Sequence, residues 1–203
     1  MAYSDFTLET VLGKFQLKVD DRVDLFAAVA DHPISPHLKT ILDEGIPLAL
    51  AVHTEKARSE LIVVPILLEI RRLMGGQIGF FSGVSFDVAP DRGLDGVCDF
   101  ILSQGPIQLI LGPPVLTVVE AKNDNIKSGL GQCVAEMLAA RIFNERAGVG
   151  PTAIFGAVPT GSLWRFLRLT GETVEIDRSD YYLDQLGKII GNLLRCVGKP
   201  EVG

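Results

Sequence analysis

Positive charge, histidine and cysteine are all in short supply in this chain, and each shortage closes a class of function. Nineteen Lys and Arg face 25 Asp and Glu, a net charge of −6, so the chain is not a general coat for nucleic acid. Any polyanion it handles must meet a local basic face. The three histidines, His32, His37 and His53, are too scattered for a zinc pattern. The three cysteines, Cys98, Cys133 and Cys196, are odd in number, lack metal-ligand spacing and lie in apolar surroundings, which predicts buried free thiols in a reducing compartment. The first ten residues are polar and acidic, so no secretory signal is expected and the location expected is cytoplasmic. The longest uncharged run, between Asp99 and Glu120, is broken by Gly105-Pro106 and Gly112-Pro113-Pro114 and predicts two strands and a turn rather than a membrane span.

What the chain has is apolar residue: 47% hydrophobic content over 203 residues, enough for one domain with a sizeable core. Residues 1–203 are read as a single domain, with an N-terminal helical layer over 1–48 and a core over 49–203. Leu8, Val11, Leu12 and Phe15 have helical spacing. A second short helix is expected over 21–30. Ser35-Pro36 caps a third, which Gly45 is expected to close. A long helical pattern runs from Thr54 to Met74, and Pro65 inside it implies a kink or two segments. Strands are expected over 77–88, with Gly83 as a bulge or bend, over 94–103 and over 115–122. A helix follows over 128–145, then strands over 153–158, 164–169 and 173–176. A last helix is expected over 182–197, capped by Asp180. That order predicts an α/β fold with a mixed central sheet flanked by helices.

Chemistry concentrates between Asp99 and Gln132. The apolar run 114–119 ends abruptly in Glu120-Ala121-Lys122. Alternation along a strand puts Glu120 and Lys122 on one face and Ala121 on the other. Asp99 sits inside the preceding apolar run, and Gln132 lies on the helix that follows. A buried carboxylate and ammonium side by side require a partner, a metal or a chemical task. The bland alternative is a surface ion pair at a strand end, worth little.

Strand with Asp, strand with Glu-x-Lys, helix with Gln: this order resembles the PD-(D/E)xK nuclease superfamily, of restriction-endonuclease-like fold. The flanking segments are similar to small stand-alone bacterial members and to the N-terminal nuclease-like domains of type I restriction subunits. Cys98 replaces the usual Pro before the Asp, and Glu136 and Met137 stand where many relatives carry Tyr.

The resemblance implies a Mg²⁺- or Mn²⁺-dependent DNA endonuclease. Asp99, Glu120 and the Ala121 carbonyl would hold the metal, Lys122 would orient the attacking water, and Gln132 would support it. Glu60, or failing it Glu55, would lend a third carboxylate from the preceding helix. Lys127 and Arg141 are candidate phosphate contacts if they share a face with the site; solvated charge is the alternative. A homodimer is expected, because cutting both strands of a duplex takes two sites. The competing expectation is a noncatalytic binding protein of the same fold. Trp164, Phe166, Tyr181 and Tyr182 could stack bases, but the alternation of Trp164 and Phe166 favours core.

Overall fold

A computed structural model describes residues 2–122, 125–150 and 153–198. The chain is mixed α/β, with a central sheet ordered β1-β7-β6-β5-β4-β3-β2 and β8 paired to β6. The helices are α1 (Leu8–Phe15), α2 (Pro36–Val52), α3 (Glu55–Arg58), α4 (Val64–Leu73), α5 (Ile126–Arg146) and α6 (Leu186–Cys196). The strands are β1 (Lys18–Asp20), β2 (Ile78–Ser85), β3 (Val97–Gln104), β4 (Val115–Val119), β5 (Ile154–Pro159), β6 (Leu163–Thr170), β7 (Thr173–Ile176) and β8 (Tyr181–Tyr182). Among the described residues no helix is long and apolar enough to cross a membrane.

Two apolar layers cover the sheet. On one face α1 and α5 pack Val11, Val134 and Leu138 against Ile101, Val118 and Val158. On the other, α2, α4 and α6 pack Leu38, Ile66 and Ile190 against Phe100, Val119 and Phe166. Sheet strands covered on both faces must be apolar on both faces. β4 and β5 run parallel and are joined through α5, whereas β2–β3–β4 and β5–β6–β7 are antiparallel.

The N-terminal expectations need revision. Gln16 adopts the left-handed conformation (φ 54°) and ends α1, and residues 18–20 pair with β7 as an edge strand. The N-terminal stretch is therefore part of the sheet as well as a helical layer. Residues 21–30 form turns, not a helix. Helix α2 does not stop at Gly45: it passes Gly45 and Pro47 and ends where His53 takes φ 57°. The expected division between residues 48 and 49 thus falls inside a helix. At the C-terminus, Tyr181–Tyr182 pair with Leu163 and Trp164, so α6 starts only at Leu186. Asp180 caps nothing there; it accepts both arms of Arg165 at 2.7 Å.

Pro65 acts in an unexpected way. Residues 59–63 widen into a π-turn in which the Val64 N–H bonds the Ser59 carbonyl, and the helix continues on either side. Pro65 has no N–H for the Leu61 carbonyl, and its ring would press on that carbonyl in a regular helix. The wide turn relieves the clash. The exposed carbonyl then faces Gly45 of α2, where an added Cβ would lie 2.6 Å from it. Gly45 is thus a close-packing residue, not a helix terminator. We expect Gly45→Ala to lower unfolding stability by about 1–3 kcal/mol, measured as a fall in urea midpoint at unchanged m-value.

Candidate functional site

The site lies at the strand ends where β3 begins and β4 leaves the sheet. Regular alternation would turn Asp99 toward α5, and a local irregularity prevents it. Phe81 packs in the α5-side layer, and so do Phe86 and Val88, which differ from it in parity. The alternation of β2 therefore changes phase at Gly83, whose φ is +63°. Only glycine takes that conformation without strain. β3 follows in register: Ile101 and Cys98 both pack on the α5 side, while Phe100 packs on the other. Asp99, caught in the phase change, opens with Phe100 and Ala121 into a cleft of about 240 Å³ on the α3 side.

Beyond β4 the backbone keeps its bonds to β5. Glu120 N–H donates to the Ala157 carbonyl at 2.9 Å and Lys122 N–H to the Pro159 carbonyl at 2.8 Å. Ala121 N–H turns the other way and donates to Asp99 Oδ2 at 2.9 Å. One backbone segment thus carries Glu120 and Lys122 toward α5 and ties Asp99 on the opposite side. Glu120 is 1% exposed, and Lys122 Nζ stands 2.5 Å from its Oε1. The lysine stem lies along α5 because Gly129 faces it; a Cβ there would fall 2.9 Å from Lys122 Cγ.

Helix α5 brings two further groups. Gln132 Oε1 accepts from Lys122 Nζ at 3.4 Å, and Gln132 Nε2 donates to Glu136 Oε1 at 3.1 Å. Glu136 is fully buried, and its carboxyl lies against that of Glu120, the two able to share a hydrogen bond when one is protonated. Burial, and then the neighbouring Asp99 charge, push the Glu120 carboxyl up to about 7 despite Lys122. Burial first, and then the proximity of Glu120, hold Glu136 well above the usual carboxylate range. Asp99 is also raised, by burial first, with the Ala121 N–H and Lys122 opposing and Glu55 adding to the rise. Burial alone would lower the Lys122 ammonium, but Glu120, with Glu55 and Asp99, keeps it above its ordinary value.

The sequence therefore named Asp99, Glu120, Lys122 and Gln132, and the fold brings these four together. In the sequence Glu136 stands out only as a residue where many relatives of the resembled superfamily carry Tyr. Its spacing of four from Gln132 on one helix was the available signal. Glu55 of α3 and Ser59 and Glu60 of the π-turn line the Asp99 cleft. Glu60 is tied to Lys56 at 2.9 Å and half exposed. Glu55 is the one whose charge reaches both Asp99 and Lys122.

The two basic candidates separate. Lys127 is exposed on the first turn of α5, at the site end. Arg141 lies at the far end, bonded to the Gly171 carbonyl in the β6–β7 turn and paired with Glu145 at 3.4 Å. β6 spans the roughly 20 Å between the two ends. Arg165 and Arg168 form two-armed pairs with Asp180 and Glu175. Trp164 and Phe166 are buried core.

No family model and no curated protein matches the chain. Two carboxylates at adjacent strand ends are the donor chemistry of a hard cation that keeps most of its water, such as Mg²⁺. No group of three or more His, Cys, Asp or Glu is arranged to hold a metal among the described residues, so an all-protein cage is not what this cluster offers. Glu120, raised by burial and by the neighbouring Asp99 charge, is the carboxyl whose ionised form a further positive partner would favour.

The folded protein holds the Glu120 proton more tightly than the unfolded chain, whose carboxyl titrates near 4.5. Its contribution to stability is therefore lost as pH rises from about 4.5 through about 7. In EDTA-treated protein, the unfolding free energy of Glu120→Gln minus that of wild type should climb by about 3 kcal/mol across this window. A pH-independent difference would contradict the assignment.

Proposed function

We propose that the chain is a Mg²⁺- or Mn²⁺-dependent DNA endonuclease of the PD-(D/E)xK type, acting through Asp99, Glu120 and Lys122. The observation that carries this reading is the bond from Ala121 N–H to Asp99 Oδ2 beside the Lys122–Glu120 pair, which gathers two carboxylates and one ammonium at adjacent strand ends. Asp99 and Glu120 would hold the cation, with the Ala121 carbonyl as a third ligand and Glu55 or Glu60 reaching across the cleft. When bound, the cation lowers the pKa of a coordinated water and withdraws charge from the phosphate.

The chain's own residues do the rest. Lys122 is a fixed donor at the edge of the cluster, suited to orient a water and to stabilise charge on a phosphate oxygen. Gln132 steadies the lysine. Lys127, on the exposed first turn of α5, is placed to meet the phosphate backbone. The net charge of −6 confines productive contact to this edge.

A second reading, a noncatalytic nucleic-acid- or protein-binding member of the same fold, is favoured by the depth of Glu120, 1% exposed beneath Lys122. Metal binding separates the two. Calorimetry should find Mg²⁺ or Mn²⁺ affinity in the wild type and none in Asp99→Ala. Cleavage of plasmid, single-stranded or branched DNA should require the metal, stop with EDTA and fall more than about a hundredfold in Glu120→Ala and Lys122→Ala. Cleavage unchanged in those variants would end the nuclease reading. Absence of any metal affinity would favour the binding protein.

A further inference from the structure

Gln132 can support Lys122 with only one end of its amide. The ammonium donates and never accepts, so the carbonyl end must face it, and the amide reaches that state or its reverse by a half turn. Nothing in Lys122 itself holds the amide that way round over time, because the contact is long, at 3.4 Å. Glu136 does. It sits one turn further along the same face of α5, and its Oε1 accepts from Gln132 Nε2 at 3.1 Å. With the NH₂ end engaged there, the carbonyl end is committed to Lys122.

We infer that Glu136 is a positioning residue of the site, which through Gln132 sets where the Lys122 ammonium stands relative to Glu120. Packing alone does not account for it. Glu136 is fully buried, a costly place for a carboxyl that an aliphatic side chain would fill at less cost, and its polar contacts there are to Gln132 and Glu120. The acceptor at Oε1 is what an aliphatic residue would lack. The effect on rate rests on the nuclease reading; the effect on the Gln132 amide rests on the geometry alone.

Two variants separate the roles. Glu136→Gln keeps an acceptor for Gln132 Nε2 and an N–H donor toward Glu120. Glu136→Met keeps the volume and removes the acceptor. Two readouts are taken on each: the ¹H–¹⁵N side-chain amide signal of Gln132, identified by its loss in Gln132→Met, and kcat and KM for DNA cleavage with Mg²⁺. Glu136→Gln should keep the Gln132 signal and retain kcat within about threefold. Glu136→Met should shift the signal and lower kcat about ten- to a hundredfold, with KM and calorimetric Mg²⁺ affinity within about twofold of wild type.

Gln132→Met should lose as much as Glu136→Met, and the double variant no more than either alone. A Glu136→Met protein with an unmoved Gln132 signal and wild-type kcat overturns the inference. So does an additive double variant. Where Glu136→Met does not fold, Gln132→Met decides: wild-type kcat in it overturns the inference. If the wild type cleaves nothing, the nuclease reading fails separately, and the Gln132 signal still decides the positioning role.

Discussion

The arrangement depends on an ion pair taken out of water. Lys122 Nζ and Glu120 Oε1, 2.5 Å apart, lie under α5 with the carboxylate 1% exposed. Removing two charges from solvent costs several kcal/mol per ion, and mutual attraction offsets that only with good geometry and further hydrogen bonds. Here the further bonds are few: the Gln132 contact is long, and the other neighbour of Glu120 is the buried carboxyl of Glu136. A fold optimised only for stability would have placed apolar side chains there. The pair is tolerable because the rest of the segment is firmly held, by backbone bonds to Ala157 and Pro159 and by the lysine stem against Gly129.

The carboxylates approach from opposite faces of the sheet. Glu120 follows the alternation of β4 toward α5, as does Val118 before it. Asp99 is turned away by the phase change at Gly83 and opens toward α3. Both stand near strand ends, and the Asp99 charge acts on Glu120 there. The Ala121 N–H is the link across that edge. α3 and the π-turn contribute from the cleft side, where Glu55 and Glu60 line the same cleft as Asp99.

Much of the fold was legible. Apolar runs bounded by Gly and Pro located β2 to β7, and helical spacing located α1, α4 and α5. Three features were not. The edge strand at 18–20 is exposed and too short for a pattern, and becomes a strand only because β7 lies beside it. Gly45 and Pro47 are helix breakers by local propensity, yet α2 continues through both because α4 packs against it. Tyr181–Tyr182 reads as the start of a helix and is drawn into the sheet by Leu163 and Trp164. In each case a tertiary contact outweighed a local preference worth about 1 kcal/mol, or in the case of Pro47 about 3.

By itself the sequence determined the α/β class, the succession of elements and which residues carry charge at the ends of apolar runs. Periodicity and turn chemistry are local properties and are written in neighbouring residues. The tertiary structure decided which charges meet and which part. Gln132 and Glu136 enter the cluster because α5 crosses back over β4, and Arg141 leaves it because the same helix carries it to the far end of the sheet. Asp99 faces the cleft because one glycine inverts the pleat of two strands together. Convergence of this kind depends on register and crossing, which residues distant in sequence fix jointly.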